Sequence, residues 1–67
     1  MDQLLLIAYR RGSRWVLLTE EARELGHYSL ESEIISAAQS RLQKVRRDGA
    51  LLLETREGWQ EHELALA

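Results

Sequence analysis

Two short apolar runs lie near the start of the chain, separated by a pair of residues typical of tight turns. The runs are LLLIAY at 4–9 and WVLLT at 15–19, and Gly12-Ser13 lies between them. A glycine followed by serine suits a two-residue type II′ loop, in which the glycine takes the positive φ angle. We therefore predict a β-hairpin with these cross-strand pairs: Arg11 with Arg14, Arg10 with Trp15, Tyr9 with Val16, Ala8 with Leu17, and Ile7 with Leu18.

Residues 29–48 show a helical spacing of apolar positions. Residues 30, 34, 35, 37, 38, 42 and 45 are apolar and fall on one arc of a helical wheel. Acidic residues begin the segment and basic residues end it, which complements the helix dipole. We predict one long helix here, with Ser29 as its N-cap and Gly49 as the residue that follows its C-terminal end.

The C-terminal stretch 50–66 reads as a second hairpin around a Glu57-Gly58 loop. One of its faces is apolar and the other is largely polar, as expected for an antiparallel sheet with one solvated face. The apolar face holds Leu51, Leu53, Leu64 and Leu66, and the polar face holds Glu54, Arg56, Trp59, Glu61 and Glu63.

Residues 19–26 carry the weakest pattern. We predict a loop or short turn, the alternatives being a helical turn that begins at Thr19 or a continuation of the strand that loops back. The predicted fold is therefore α+β: a single domain over residues 1–67, with element order β-β-α-β-β. A small antiparallel sheet packs against one long helix, about 29–48, on one face.

The first hairpin is apolar on both faces, unlike the second. A single helix covers only one face of the sheet, and contiguous exposed apolar patches are uncommon on monomers. The remaining face therefore predicts a homodimer or a docking site for another protein, unless residues 19–28 fold back over it. The residues of this predicted interface are Leu5, Ile7, Tyr9, Val16 and Leu18.

The size and composition of the chain favour association. Its 67 residues include no cysteine and only two histidines, His27 and His62. Disulfides and thiolate zinc sites are therefore excluded, and a histidine-based metal site would need several carboxylates. Because so small a domain is only marginally stable, a second protein chain is the remaining stabilising partner to consider. We predict no metal and no cofactor.

No apolar run approaches the length that a membrane span requires, and the N-terminal residues do not resemble a signal peptide. We therefore expect a cytoplasmic protein with no membrane partner.

The charges are segregated along the chain, although the net charge is only −2. A nucleic-acid-binding domain is usually basic overall, which argues against that function. An arginine-tipped β-ribbon can nevertheless contact phosphates. The alternative hypothesis is therefore a nucleic-acid-binding regulator that uses two basic clusters, the hairpin tip with Arg10, Arg11 and Arg14, and the helix end with Lys44, Arg46 and Arg47.

The predicted hairpin register gives the three arginines of the tip different roles. Arg10 can lie over the Trp15 ring as a cation–π pair. Arg11 opposite Arg14 is a like-charge pair and therefore mildly destabilising. An anion is expected to bind there, either a phosphate or an acidic strip such as the Glu61–Glu63 face of a second copy.

No cluster of residues has the geometry expected of a catalytic site. Glu61 and Glu63 share one strand face, but His62 points to the other, so the three side chains cannot converge. Arg41 falls within the apolar arc of the helix, where it either extends past the sheet edge to solvent or forms an ion pair with Glu54 or a partner subunit. We predict that the protein is not an enzyme.

The segments WVLLTE, YSLESEIISAAQSRL and ALLLETREGW together resemble a group of short uncharacterised bacterial and phage domains. The residues that match in kind are Trp15, Tyr28, Ser29, Glu33, Ala37, Ala38 and Gly58. The resemblance implies the same fold and transfers no activity. Accessory proteins of phages and mobile elements often bind one host protein, so we expect a small module that regulates or inhibits a protein partner.

Overall fold

The computed structural model describes residues 4–65 and shows a five-stranded sheet with one helix packed on one face. The fold is α+β, as predicted, but its element order is β-β-β-α-β-β. The spatial order of the strands is β3-β2-β1-β4-β5. The elements are β1 (Leu4–Arg11), β2 (Arg14–Thr19), β3 (Glu24–Tyr28), α1 (Glu31–Val45), β4 (Gly49–Thr55) and β5 (Gly58–Leu64).

The first hairpin has the predicted register at every pair from Ile7 with Leu18 to Arg11 with Arg14. Gly12 provides the turn with a φ of +64°. The Arg10 guanidinium carbon lies 5.7 Å from the centroid of the Trp15 ring, so the predicted cation–π pair is also confirmed.

The predicted loop or turn is confirmed only for residues 20–23, because residues 24–28 form the third strand. β3 pairs antiparallel with β2, with Trp15 opposite Tyr28, and an irregularity in the register follows Leu17. That irregularity breaks the strict alternation by which a strand is recognised in sequence. Because β3 extends the sheet sideways, residues 24–28 do not cover the face opposite the helix, and the fold-back alternative is wrong.

The sheet is mixed rather than antiparallel, because β1 and β4 are parallel neighbours from Leu4 with Gly49 to Ala8 with Leu53. This correction follows from the missed strand. β3 carries the chain back to the end of the sheet where the Gly12 turn lies, and α1 then returns along the sheet. β4 therefore starts level with Leu4 and runs in the same direction as β1.

The helix is shorter at both ends than the predicted 29–48. Leu30, with extended φ and ψ angles, is the N-cap, so the predicted Ser29 cap is wrong. The Glu33 carboxylate instead accepts hydrogen bonds from the backbone N–H groups of Ser29 (3.2 Å) and Leu30 (3.0 Å). It thereby satisfies two donors at the helix start.

The C-terminal end of the helix also differs from the prediction. Arg46 adopts the left-handed conformation, with a φ of +56°, and its N–H bonds to the Leu42 carbonyl. Gly49 is therefore not the residue that ends the helix. It opens β4, where a Cβ would overlap the Leu4 carbonyl, so glycine permits the close approach of β4 to β1.

In the second hairpin the turn is Arg56-Glu57, one residue earlier than the predicted Glu57-Gly58. The pairs are therefore Thr55 with Gly58 and Leu51 with His62. The Glu57-Gly58 loop predicts Leu53 opposite His62 and Leu51 opposite Leu64, so the observed pairing differs by two residues, which preserves the side of the sheet to which each residue points. Leu66 of the predicted apolar face lies outside the described residues.

The core lies between α1 and one face of the sheet. Its buried members are Leu6, Ala8, Trp15, Leu17, Ile34, Ala38, Leu42, Leu51, Leu53 and Leu64. Among the described residues no polar or charged side chain is buried. No helix within residues 4–65 has the length and apolar character of a membrane-spanning segment.

Candidate functional site

The face of the sheet opposite α1, here called the open face, carries a second set of apolar side chains. Side chains alternate between the two faces along each strand, and the core residues mark the helix side. The open-face apolar residues are Leu5, Ile7, Tyr9, Val16, Leu18, Ala50, Leu52 and Trp59, and none belongs to the core under the helix.

The structure brings the five residues of the predicted interface together in the middle of this face. Leu5, Ile7, Tyr9 and Leu18 are half-buried. Val16 is 0% exposed, although the only helix among the described residues packs on the other side of the sheet. Its cross-strand neighbours on the same face are Tyr9 and His27. Val16 therefore forms the floor of the patch, and its neighbours form the accessible surface.

Three apolar residues of the open face lie outside the predicted interface: Ala50, Leu52 and Trp59. Trp59 is on the face predicted for it and its side chain is 55% exposed, whereas Leu52, half-buried beside Ile7, was not predicted on this face. The sequence does contain a pattern that places Leu52 on the open face. Three consecutive leucines at 51–53 cannot all share one face of a strand, so the middle one must lie on the face assigned as polar.

The open face also carries charges, and the unpredicted β3 neutralises one of them. The Arg11 Nη2 donates a hydrogen bond of 2.6 Å to the Tyr9 hydroxyl, and its Nη1 lies 3.6 Å from a Glu24 carboxylate oxygen. His27 Nε2 lies 3.8 Å from the other oxygen of Glu24. The like-charge pair of Arg11 and Arg14 is thus relieved on the Arg11 side by an acidic residue from β3.

Arg14 has no such partner. The Arg14 side chain forms no hydrogen bond or ion pair with any other residue in the described range, and the same holds for the side chains of Glu61 and Glu63 on β5. Glu54 differs, because its carboxylate accepts a 2.9 Å hydrogen bond from the backbone N–H of Arg10. The open face therefore presents one unpaired cation near the hairpin tip and two unpaired carboxylates on the outer strand.

The structure does not bring together the two basic clusters of the nucleic-acid hypothesis. α1 starts at the hairpin-tip end of the sheet and runs to the opposite end, so Lys44, Arg46 and Arg47 lie one helix length from Arg10, Arg11 and Arg14. A helix of 15 residues is about 22 Å long. The clusters form two separate surfaces rather than one basic strip.

The remaining candidate residues are also dispersed. Within residues 4–65, no three His, Asp or Glu side chains are placed to hold a metal ion. His62 is on the helix side of β5, whereas Glu61 and Glu63 are on the open face. Arg41 is half-buried beside a groove that Leu17, Leu25 and Ala37 line. It does not pair with Glu54, whose carboxylate is bound to Arg10 at the other end of the sheet.

No protein-family model matches the chain, and no curated protein or solved structure is significantly similar to it. The resemblance to short bacterial and phage domains stays a prediction. The function must therefore be argued from the geometry of this fold.

Proposed function

We propose that this chain is a small non-enzymatic interaction module that forms a homodimer through the open face of its sheet. The observation that carries the proposal is the apolar patch centred on Ile7, which lies on the face opposite the only helix of the described residues. Burial of such a patch against a second apolar surface removes it from water, and this makes association favourable.

The open face is large enough for a specific interface. The five strands are five to eight residues long, so with about 4.8 Å between strands and about 3.3 Å per residue the face spans roughly 20 by 22 Å. Standard protein interfaces bury about 800 Å² of accessible surface on each partner. A pleated face of this size, with side chains projecting from it, offers a comparable area.

The arrangement of the face also resembles that of known interfaces. Apolar residues and two aromatic rings, Tyr9 and Trp59, occupy its middle strands and one margin, and charged residues surround them. Interface cores are depleted in charge and enriched in aromatic residues, with a polar rim. Face-to-face packing of two such sheets would bury both sets of side chains in a layer about 10 Å thick.

In the cell, we propose that the module acts in the cytoplasm and regulates or inhibits a protein partner. The support for this role is the small size of the domain and its resemblance to phage and mobile-element accessory proteins, which is an argument by analogy.

The decisive experiment is analytical ultracentrifugation of the wild type, Ile7→Asp and Leu30→Asp between 1 and 200 μM, concentrations chosen to span roughly micromolar affinities. We expect a wild-type dimer, a monomeric Ile7→Asp variant and a dimeric Leu30→Asp variant. Leu30 is the matched control, because its side chain is 60% exposed at the helix N-cap, away from the open face.

Two results would overturn the proposal: a monomeric wild type throughout this range, or an Ile7→Asp variant that dimerises like the wild type. Circular dichroism shows whether each variant is folded. Should Ile7→Asp fail to fold, Trp59→Ser at the exposed margin serves instead, and it should weaken the dimer without disturbing the sheet interior.

The same experiment with a duplex oligonucleotide tests the alternative function. Binding to nucleic acid should fall steeply with salt and be lost in Arg11→Ala/Arg14→Ala. Self-association through the apolar face should persist in high salt, because burial of apolar surface is not screened.

A further inference from the structure

The open face has a polarity that restricts how two copies can pack. Its unpaired cation, Arg14, lies at the end of the face near the hairpin tip. Its unpaired carboxylates, Glu61 and Glu63, lie on the outer strand β5. The displacement from the centre of the patch is thus along the strands for the cation and across the strands for the carboxylates.

Two simple arrangements fail to bring these charges together. A two-fold axis along the central strand β1 would place β5 of one copy over β3 of the other. Glu61 and Glu24 are at the same height along the strands, because one row of paired residues joins them through Leu52, Ile7 and Leu18. This axis would therefore place Glu61 of one copy opposite Glu24 of the other. Like charges in a partly desolvated interface are unfavourable.

A two-fold axis across the strands fails for a different reason. It keeps each strand over its own counterpart, β2 over β2 and β5 over β5. Arg14 on β2 then stays three strands away from Glu61 on β5 of the other copy, because β1 and β4 lie between them. Strands are about 4.8 Å apart, so the charges remain separated by more than about 10 Å.

We propose that the two copies pack with a two-fold axis running diagonally across the open face, so that Arg14 of each copy pairs with Glu61 of the other. This inference rests on the proposed function. A diagonal axis exchanges the direction along the strands with the direction across them. The hairpin tip of one copy therefore lies over β5 of the other. The strands of the two sheets then cross at close to a right angle, one of the two favoured packings of β-sheets.

The arrangement also explains why Arg14, rather than Arg11, is the arginine that reaches a partner. Arg11 is held over the Tyr9 ring by the Tyr9 hydroxyl and Glu24, with its guanidinium carbon 5.6 Å from the ring centroid. The Arg14 side chain has no such contact with any residue between 4 and 65, so it pairs across the interface without breaking an existing bond.

The test is a charge reversal performed in trans. Arg14→Glu and Glu61→Arg are prepared separately, and the dissociation constant of each is measured alone and in an equimolar mixture. Each variant alone opposes like charges at two symmetry-related positions, so its dimer should weaken about tenfold. In the mixed dimer both positions regain opposite charges, so its dissociation constant should return to within about threefold of the wild-type value.

Matched controls are Arg23→Glu in the turn after β2 and Glu57→Arg in the turn before β5. Each makes the same charge change at an exposed position, and neither should alter the dimer. If a reversal variant does not fold, Arg14→Gln and Glu61→Gln replace the pair, each with about half the effect on the binding free energy.

The outcomes separate the two proposals. A monomeric wild type overturns both. A wild-type dimer that Ile7→Asp disrupts, but that both charge reversals leave unchanged, keeps the interaction surface and overturns the diagonal packing. Weakening by each reversal without recovery in the mixture also overturns it, since the two charges are then not paired with each other.

Discussion

Replacing Gly49 by alanine tests the parallel pairing of β1 and β4 at the centre of the fold. A Cβ at this position would lie 3.0 Å from the carbonyl carbon and Cβ of Leu4, and closer still to the carbonyl oxygen. The φ angle of Gly49 is outside the left-handed region. The obstacle is therefore the neighbouring strand and not the conformation of Gly49.

The expected cost follows from these contacts. Overpacking of this kind typically costs about 1–3 kcal/mol. Displacing Leu4 also weakens the 3.0 Å hydrogen bond from its N–H to the Asp48 carbonyl, worth about 0.5–1.5 kcal/mol net. The loss of glycine's freedom in the unfolded chain offsets about 0.4–1 kcal/mol. We expect a net loss of about 1–3 kcal/mol, or a fall in Tm of about 4–24 °C.

The assay is thermal unfolding by circular dichroism at one fixed chain concentration, since self-association would make Tm depend on concentration. Gly12 is the matched control. Its φ is +64° and nothing lies within 4 Å of the position of a Cβ, so alanine there is disfavoured by backbone conformation alone.

Asparagine separates the two mechanisms, because it tolerates the left-handed conformation better than alanine. Gly12→Asn should therefore be more stable than Gly12→Ala, whereas Gly49→Asn should be no more stable than Gly49→Ala. A Gly49→Ala variant as stable as the wild type would show that β4 does not approach β1 as closely as described.

Two further predictions concern the helix and its core contact. Glu33→Ala removes the acceptor for the N–H groups of Ser29 and Leu30 and should cost about 0.5–2 kcal/mol, measured by urea unfolding. A Glu33→Gln variant that retains most of this stability would attribute the effect to hydrogen bonding rather than to charge. Leu42→Ala opens a cavity at a side chain that is 0% exposed under the sheet and should cost about 2–5 kcal/mol in the same assay. A loss below about 1 kcal/mol would mean that the helix does not pack there as described.

The confirmed predictions rest on patterns contained within a few neighbouring residues. The Gly12-Ser13 turn and its flanking apolar runs determine the register of the first hairpin, and with it the contact between Arg10 and Trp15. The arc of apolar residues identifies the helix, although both of its ends differ from the prediction. At the start Glu33, rather than Ser29, accepts the free backbone N–H groups, and at the end Arg46, rather than Gly49, takes the left-handed conformation.

The candidate site was predicted in part for the same reason. Alternation along β1 and β2 placed Leu5, Ile7, Tyr9, Val16 and Leu18 on a common face, and the structure places them there. A division of the second hairpin into one apolar and one polar face leaves no place for Leu52, because three consecutive leucines cannot all lie on one face. The sequence did not show that Arg14, unlike Arg11, is left without a charged neighbour. That difference arises because β3 places Glu24 beside Arg11.

The sequence by itself thus determined the elements whose stability is local: a hairpin closed by its turn, and an amphipathic helix with its apolar arc. It also determined that the first hairpin has two apolar faces. Only the tertiary structure decided that β3 joins the sheet, that β4 runs parallel to β1, and which charges on the open face stay unpaired. These features depend on hydrogen bonds and charges between residues far apart in the chain, and such pairings leave no period in the sequence.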